Sequence, residues 1–370
     1  MNRRTITHVV LLAILLSSGM AFGYELKAFE GKSRKAILAD FMPKIDRGEN
    51  KDNKFYIEQY SFDAKIKGGY DFWFQIVLSN MGVANGKGAV QVHFKPKGGK
   101  KIKAGGTFDR SKWSYKKDGD KLVMDLGGNH FEGNGDTWSG HFETDKFDAD
   151  IKIKNAVSPW RPGGGTAYYG GKDKYYDINI LTPRGTFELD VTLKSTGEKT
   201  HLTGAIYGDH SVSNLAPNHQ ARRWVKMRIV SRAFTLIVNT FESTEMYGNK
   251  WGGYFLVVSD KKVVATGTHP RMELSDFDVD QRSGYKVPKL ILFSDAKGVD
   301  GFQGVIKAIK MVGRHDRLAE LSSLARAVVG KFVKPVGFKY KSKFEFEMQI
   351  GGKKKSYKGK GNYDFNQVIP

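Results

Sequence analysis

GAIYGDHSVSNLAPNHQARRW, residues Gly204 to Trp224, crowds together more donors, acceptors and titratable protons than any other stretch of this 370-residue chain. Tyr207, Asp209, His210, Ser211, Ser213, Asn214, Asn218, His219, Arg222, Arg223 and Trp224 all fall within it. On both sides the pattern is one of short segments with a period of two, the signature of half-buried β-strands. A polar insertion between two β-rich halves is either a long exposed loop or the lining of a site.

Upstream, FYIEQYSFDAKI (Phe55–Ile66) and YDFWFQIVLSN (Tyr70–Asn80) are rich in aromatic and β-branched residues and are separated by Gly68-Gly69. GAVQVHFKP, KLVMDLGGNHFEGNG, WSGHFETD and KFDADIKIKN continue the series, with turn residues every ~8–12 positions, as in a sandwich or an up-and-down barrel. VSPWRPGGG (Val157–Gly165) breaks the rhythm, because Pro159 and Pro162 cannot donate to a ladder. KYYDINILTPRG, TFELDVTLK and THLTGAIYGDH then lead into the polar stretch. Beyond it, WVKMRIV, AFTLIVNTFE, WGGYFLVVSD, KVVATG, KLILFSDA and GFQGVIKAIKMV repeat the same grammar, and FKYKSKFEFEMQI with SYKGKGNYDF predicts a closing hairpin.

Two segments read as helical. SRKAILADFMPKI (Ser33–Ile45) puts Ile37, Leu38, Phe41 and Met42 on one side of a short N-terminal helix that ends near Pro43. RHDRLAELSSLARAVVGKFV (Arg314–Val333) spaces Leu318, Leu321, Leu324, Ala325 and Val328 by three and four residues, with Gly330 as a stop. No low-complexity linker separates the halves, so they are expected to abut beside the polar stretch, as residues 24–215 and 216–370.

Residues 1–23 carry Arg3 and Arg4, an apolar run from Val9 to Leu16, and Ala21-Phe22-Gly23 before Tyr24, the layout of a cleaved secretory leader. The reading implies an exported protein, periplasmic or secreted, with a mature start near Tyr24. There is no cysteine, so a fold exported to an oxidising compartment would stand on its core alone, and no thiol is present to carry a lipoprotein anchor.

Lys+Arg 60 against Asp+Glu 39 favours anionic partners, and attraction to an anionic membrane surface fits this balance. The lysines of DIKIKN (Asp150–Asn155) and KYKSKFEFEM (Lys339–Met348) alternate with apolar residues, which places them on the solvent faces of strands rather than in a nucleic-acid surface. Nucleic acid is not expected as a partner.

Asp209, His210 and Ser211 invite a catalytic-triad reading, but neighbours on a strand point to opposite faces and no G-x-S-x-G elbow is present here. The His210–His219 spacing is not that of a metal pair, and neither a metal nor a cofactor is expected. Asp209 between Tyr207 and His210 offers acid–base chemistry if it sits in an apolar cavity, or caps a turn if it lies at the surface. Arg222 and Arg223 either pair with Asp209, clamp a phosphate or carboxylate, or form a basic strand edge. Trp160 and Trp224 flank bends, as cavity walls or as barrel plugs.

The order of these signals resembles the two-domain lipocalin-like superfamily of fungal survival-factor proteins and bacterial carotenoid 1,2-hydratases, from about Lys54 to Val264. Pro217, His219, Arg223 and Trp224 match the Pro-x-His-x-x-x-Arg-Trp pattern of the survival-factor branch. Gly204, Asp209 and His210 match the hydratase pattern, but Ser211-Val212-Ser213 stands where Trp-Gly would follow. The resemblance implies an all-β fold of two lipocalin-like antiparallel β-barrels side by side, with a short N-terminal helix and one C-terminal amphipathic helix. It also implies a long apolar ligand of the polyene, isoprenoid or sphingolipid kind, held in a barrel cavity. Ligand contacts would come from Trp160, Tyr207, Asp209, His210, Asn218, His219, Arg222, Arg223 and Trp224. The missing Trp-Gly favours a carrier over an enzyme. The alternative is a cofactor-independent hydratase, isomerase or cyclase with Asp209 as proton donor, aided by His210 and Tyr207.

Overall fold

The computed structural model describes residues 24–81, 84–231, 234–259, 261–297, 301–319 and 333–369. The segments expected to be a leader, over 1–23, and an amphipathic helix, over Arg314–Val333, lie wholly and mostly outside them, respectively. The chain is predominantly β, in two antiparallel sheets.

Both sheets are wound in the same way. In the first, Ile57–Ile66, Asp71–Ser79, Lys87–Lys95 and Ile102–Phe108 meander outward in sequence. The chain then jumps to Trp113–Asp118 and meanders back until Lys199–Ser213 pairs with Ile57–Ile66. From one end strand, Trp113 Nε1 reaches the turn before Lys87–Lys95, donating to the Gly86 carbonyl at 3.0 Å. In the second, four strands from Arg223–Val230 to Lys262–Gly267 lead out. The chain jumps to Pro270–Val279 and returns until Lys353–Gln367 pairs with Arg223–Val230. In each half the last strand closes on the first, which removes one pair of exposed edges.

Period-two alternation fills both interiors. Phe62 stacks on Phe74 at 4.7 Å and Phe131 on Trp138 at 5.4 Å in the first barrel. Phe255 stacks on Phe302 at 3.7 Å in the second. A fully buried aromatic contributes roughly 1.5–3 kcal/mol. A third cluster lies between the barrels and joins Phe29, Tyr169, Tyr176, Tyr207, Phe241 and Tyr254. It explains why Phe234–Glu242 is buried at every position: Leu236 and Val238 face the second core, whereas Ile237 and Phe241 face the first barrel.

The lysines of Asp150–Asn155 and Lys339–Met348 are exposed and their apolar neighbours buried, as the alternation requires. Several boundaries differ from the sequence reading. KYYDINILTPRG and TFELDVTLK form one 23-residue strand, Gly171–Leu193, irregular in its pairing between Asn179 and Gly185. Pro270–Val279, not anticipated, is also a strand. The N-terminal segment makes only a four-residue helix, Leu38–Phe41, which buries Phe41 against Trp138 and leaves Ile37 60% exposed. The Asp40 carboxylate accepts the Ile37 N–H at 2.8 Å and pairs with Arg34, so polar contacts hold this turn in place of a longer apolar face. VSPWRPGGG is a tight crossing: Gly163 has φ +56°, and a Cβ there would lie 1.9 Å from the Phe29 carbonyl oxygen.

Candidate functional site at the barrel junction

The polar stretch is not one long loop. Its first half is the interior of Lys199–Ser213, and a helical turn, Pro217–Gln220, then leads to Arg223–Val230. Strand alternation divides its side chains between two environments. Ile206, His210 and Val212 turn into the first barrel, while Tyr207, Asp209 and Ser211 turn toward the second.

On the inner side His210 is fully buried, stacks on Tyr60 at 4.3 Å, and its Nε2 lies 2.6 Å from Glu58 Oε1. Register brings them together, because Tyr60 lies opposite His210 and Glu58 opposite Val212. Glu58 also accepts the Tyr56 hydroxyl and the Lys44 N–H. Asn179 lies 3.4 Å from His210 Nδ1 and accepts from Arg161, which binds Asp177 with two donors at 2.6 and 3.1 Å. Lys44 completes the set on Asp177 at 2.9 Å. Burial raises the pKa of Asp177, but Lys44 and Arg161 outweigh it and hold the carboxyl well below the usual range. Buried charges survive here because each has partners. The network ties the N-terminal segment across the barrel mouth, where Tyr60 also donates to the Phe41 carbonyl at 2.8 Å.

On the outer side the two barrels enclose a cleft of ≈ 490 Å³. One wall comes from outward residues of the first barrel, including Trp73, Gln75, Tyr176 and Asp209; the other carries Lys226, Arg228, Asn239, Arg314, Phe338 and Lys339. Asp209 is 5% exposed and accepts from Arg228 at 2.9 Å, and the Arg228 guanidinium lies 4.7 Å over the Tyr207 ring. Burial works against the charge on Arg228, but Asp209 and Tyr207 more than offset it and raise its pKa. Burial pushes Lys226 down to about 8; Arg228 adds to the effect and Asp209 opposes it. The Lys226 ammonium lies 4.9 Å over the Trp224 ring. Tyr207, its pKa raised by burial and by Asp209, makes no well-aligned hydrogen bond, and neither does the Asn239 amide oxygen.

The residues singled out in the sequence are thus partly gathered and partly dispersed. Tyr207, Asp209 and Trp224 reach the junction. His210 does not join them; it belongs to the inner network. The expected pairing of Asp209 with Arg222 or Arg223 does not form: Asp209 takes Arg228, and Arg223 pairs with Glu242 across the strand. Nor does Asp209 cap a turn, since it lies within a strand. Trp160 packs on the junction cluster with Nε1 unpartnered, and Asn218 Oδ1 is likewise buried without a partner. His219 is half-buried, lowered by burial and by Lys174. The Arg222 backbone bonds to Glu242 and Val368.

Lys226 and Arg228 escaped the sequence reading although both stand in WVKMRIV. Their alternation with Val225, Met227 and Ile229 marks an outward face, and only the second barrel's position shows that this face is covered. Glu58 carried a clearer signal, as a charged residue in phase with the buried Tyr60, Phe62 and Ala64.

The model for the Svf1 family matches residues 42–364. The ceramide-binding protein SVF1 of Yarrowia lipolytica is 25% identical over 170 residues, so the match spans 40% of this chain and 42% of that protein. Among solved structures, CghA with Sch210972 is similar at TM-score 0.56 and 9% identity, over 91% of this chain and 98% of that one. Kievitone hydratase from Nectria haematococca is similar at TM-score 0.51 and 12% identity, over 94% and 98%. At such identities the likeness is one of fold, and it is the two-barrel lipocalin-like fold expected from the sequence. Its family match runs from the strap across the first barrel's mouth to the last strand of the second, and on that extent the chain belongs to the Svf1 family.

Proposed function

We propose that this protein binds and carries a long-chain lipid, with the polar end held in the cleft between its barrels. One observation carries the reading: Trp73, Tyr176 and Phe338 provide apolar wall in the same ≈ 490 Å³ cleft where Asp209, Arg228 and Lys226 provide polar contacts. Both barrel cores are filled by aromatic stacking, which favours the junction over a barrel interior as the seat of the ligand. The ceramide-binding relative in Yarrowia lipolytica supports a sphingolipid-type ligand. The arginine-flanked apolar run of the leader supports export.

Full-length protein purified from its native host and extracted into organic solvent is expected to release a long-chain lipid by mass spectrometry. Trp73→Ala should reduce the yield several-fold. Protein that releases no lipid would sink the reading. A second reading rests on the meeting of a carboxylate, a buried phenol and a guanidinium at Asp209, Tyr207 and Arg228, a cluster of acid–base groups at the junction that would face an apolar substrate. Asp209→Asn separates the two: if a bound lipid stops being converted while its binding survives, the protein is an enzyme.

A further inference from the structure

The cleft carries more positive charge than its own carboxylates match. Lys226, Arg228, Arg314, Arg317 and Lys339 line it, against Asp209 and Asp364. Arg314 is held by Asp280, which approaches from outside. Asp364 lies on the strand between the two lysines, in register with Lys226 on one side and Lys339 on the other. Five cations thus meet three carboxylates. Among the described residues, no carboxylate lies within ion-pair distance of Lys226, Arg317 or Lys339.

The excess extends along the junction. A second groove of ≈ 580 Å³ shares Trp73, Arg228, Lys339 and Asp364 with the first, and adds Lys65, Lys95 and Lys101 against Asp63 and Asp71. Of the three unpaired cations Arg317 and Lys339 are exposed, whereas Lys226 is desolvated, and the burial that lowers it expresses the cost of a cation held without a counter-charge. An oxyanion relieves it: guanidinium and ammonium groups donate charge-assisted hydrogen bonds to phosphate-type oxygens. Arg228 gives only one terminal nitrogen to Asp209 and keeps other donors. Asn239, with its amide oxygen unpartnered on the cleft wall, can offer its NH₂ by a flip.

We infer that the junction cleft is an oxyanion site and that the lipid it takes carries an anionic, phosphate-type headgroup rather than a neutral one, an inference that rests on the lipid-binding reading above. The headgroup sits among Lys226, Lys339, Arg228 and Arg317, and the chain leaves along Trp73, Tyr176 and Phe338.

Three probes test this by isothermal titration calorimetry on the full chain: oleyl phosphate, oleyl alcohol and inorganic phosphate. Oleyl phosphate is expected to bind about tenfold or more tightly than oleyl alcohol, the scale of one charged hydrogen bond. The K226Q/K339Q double variant should lose that advantage, so that the two oleyl compounds bind it with similar affinity; K226R should keep it. Unchanged melting and circular dichroism will show that the variants fold. Equal affinity for both oleyl compounds would overturn the anionic headgroup and leave the lipid reading standing. Failure of both to bind would remove the lipid reading itself. Inorganic phosphate binding as tightly as oleyl phosphate would overturn the lipid source in favour of a free-anion site.

Discussion

Lys226 stands on the outer face of its strand between Trp224 and Arg228, where burial and neighbouring charges act on its ammonium. Burial and the neighbouring Arg228 disfavour the ammonium, while Asp209 favours it, and the balance leaves it at about 8 against an ordinary 10.5. At pH 8 roughly half of Lys226 is then the free amine, against about 0.3% of an ordinary exposed lysine. An acetylating reagent at that pH should modify Lys226 at least about tenfold faster than Lys152 or Lys341, measured by peptide mass spectrometry over time. Equal rates would mean that Lys226 titrates as a surface residue. Its identity was plain in the sequence; its desolvation was not, because that depends on residues distant along the chain, such as Arg317, Lys339 and Asp364.

The strap from Arg34 to Lys44 is too short to hold a place by helix formation, so its anchoring rests on the inner network. Asp177 is the hub, since Lys44, Arg161 and Thr166 all meet at its carboxylate. Asp177→Ala would leave Lys44 buried without a counter-charge and Arg161 with only Asp40, 3.8 Å away, and should cost about 3–5 kcal/mol in chemical denaturation. The pH dependence has a definite sign. The folded-state pKa of Asp177 is depressed below 3.8, so its contribution is complete above that value and is lost as pH falls below it toward the folded value. Wild type should therefore lose stability below about pH 4 more steeply than Asp177→Asn, and parallel slopes would rule Asp177 out as the source.

The two barrels share a winding but are joined by an aromatic seam rather than by a continuous sheet. Phe241 is central to it, with Trp224 at 5.0 Å, Tyr169 at 6.1 Å, Tyr176 at 6.3 Å and Phe29 at 6.4 Å. Phe241→Ala should cost about 3–5 kcal/mol and, by loosening the seam, divide a single calorimetric unfolding transition into two. A single transition at the wild-type temperature would show that the barrels are coupled elsewhere. The same seam aligns the cleft walls, so the variant should also bind lipid less tightly.

By itself, the sequence determined the β-rich class, most strand positions and the outward direction of lysines such as Lys152 and Lys341, because alternation is local and survives any tertiary arrangement. It also placed Asp209 and His210 on opposite faces, since adjacent residues on a strand must diverge. Only the tertiary structure decided what each face meets. The pairing of Ile57–Ile66 with Lys199–Ser213 brings Glu58 within reach of His210, and the docking of the second barrel covers Asp209 with Arg228 rather than with Arg222 or Arg223. Gly204–Trp224 was legible as the hinge between two β halves. Its division into an inner network and an outer cleft depends on long-range register and on barrel packing, and no local pattern encodes either.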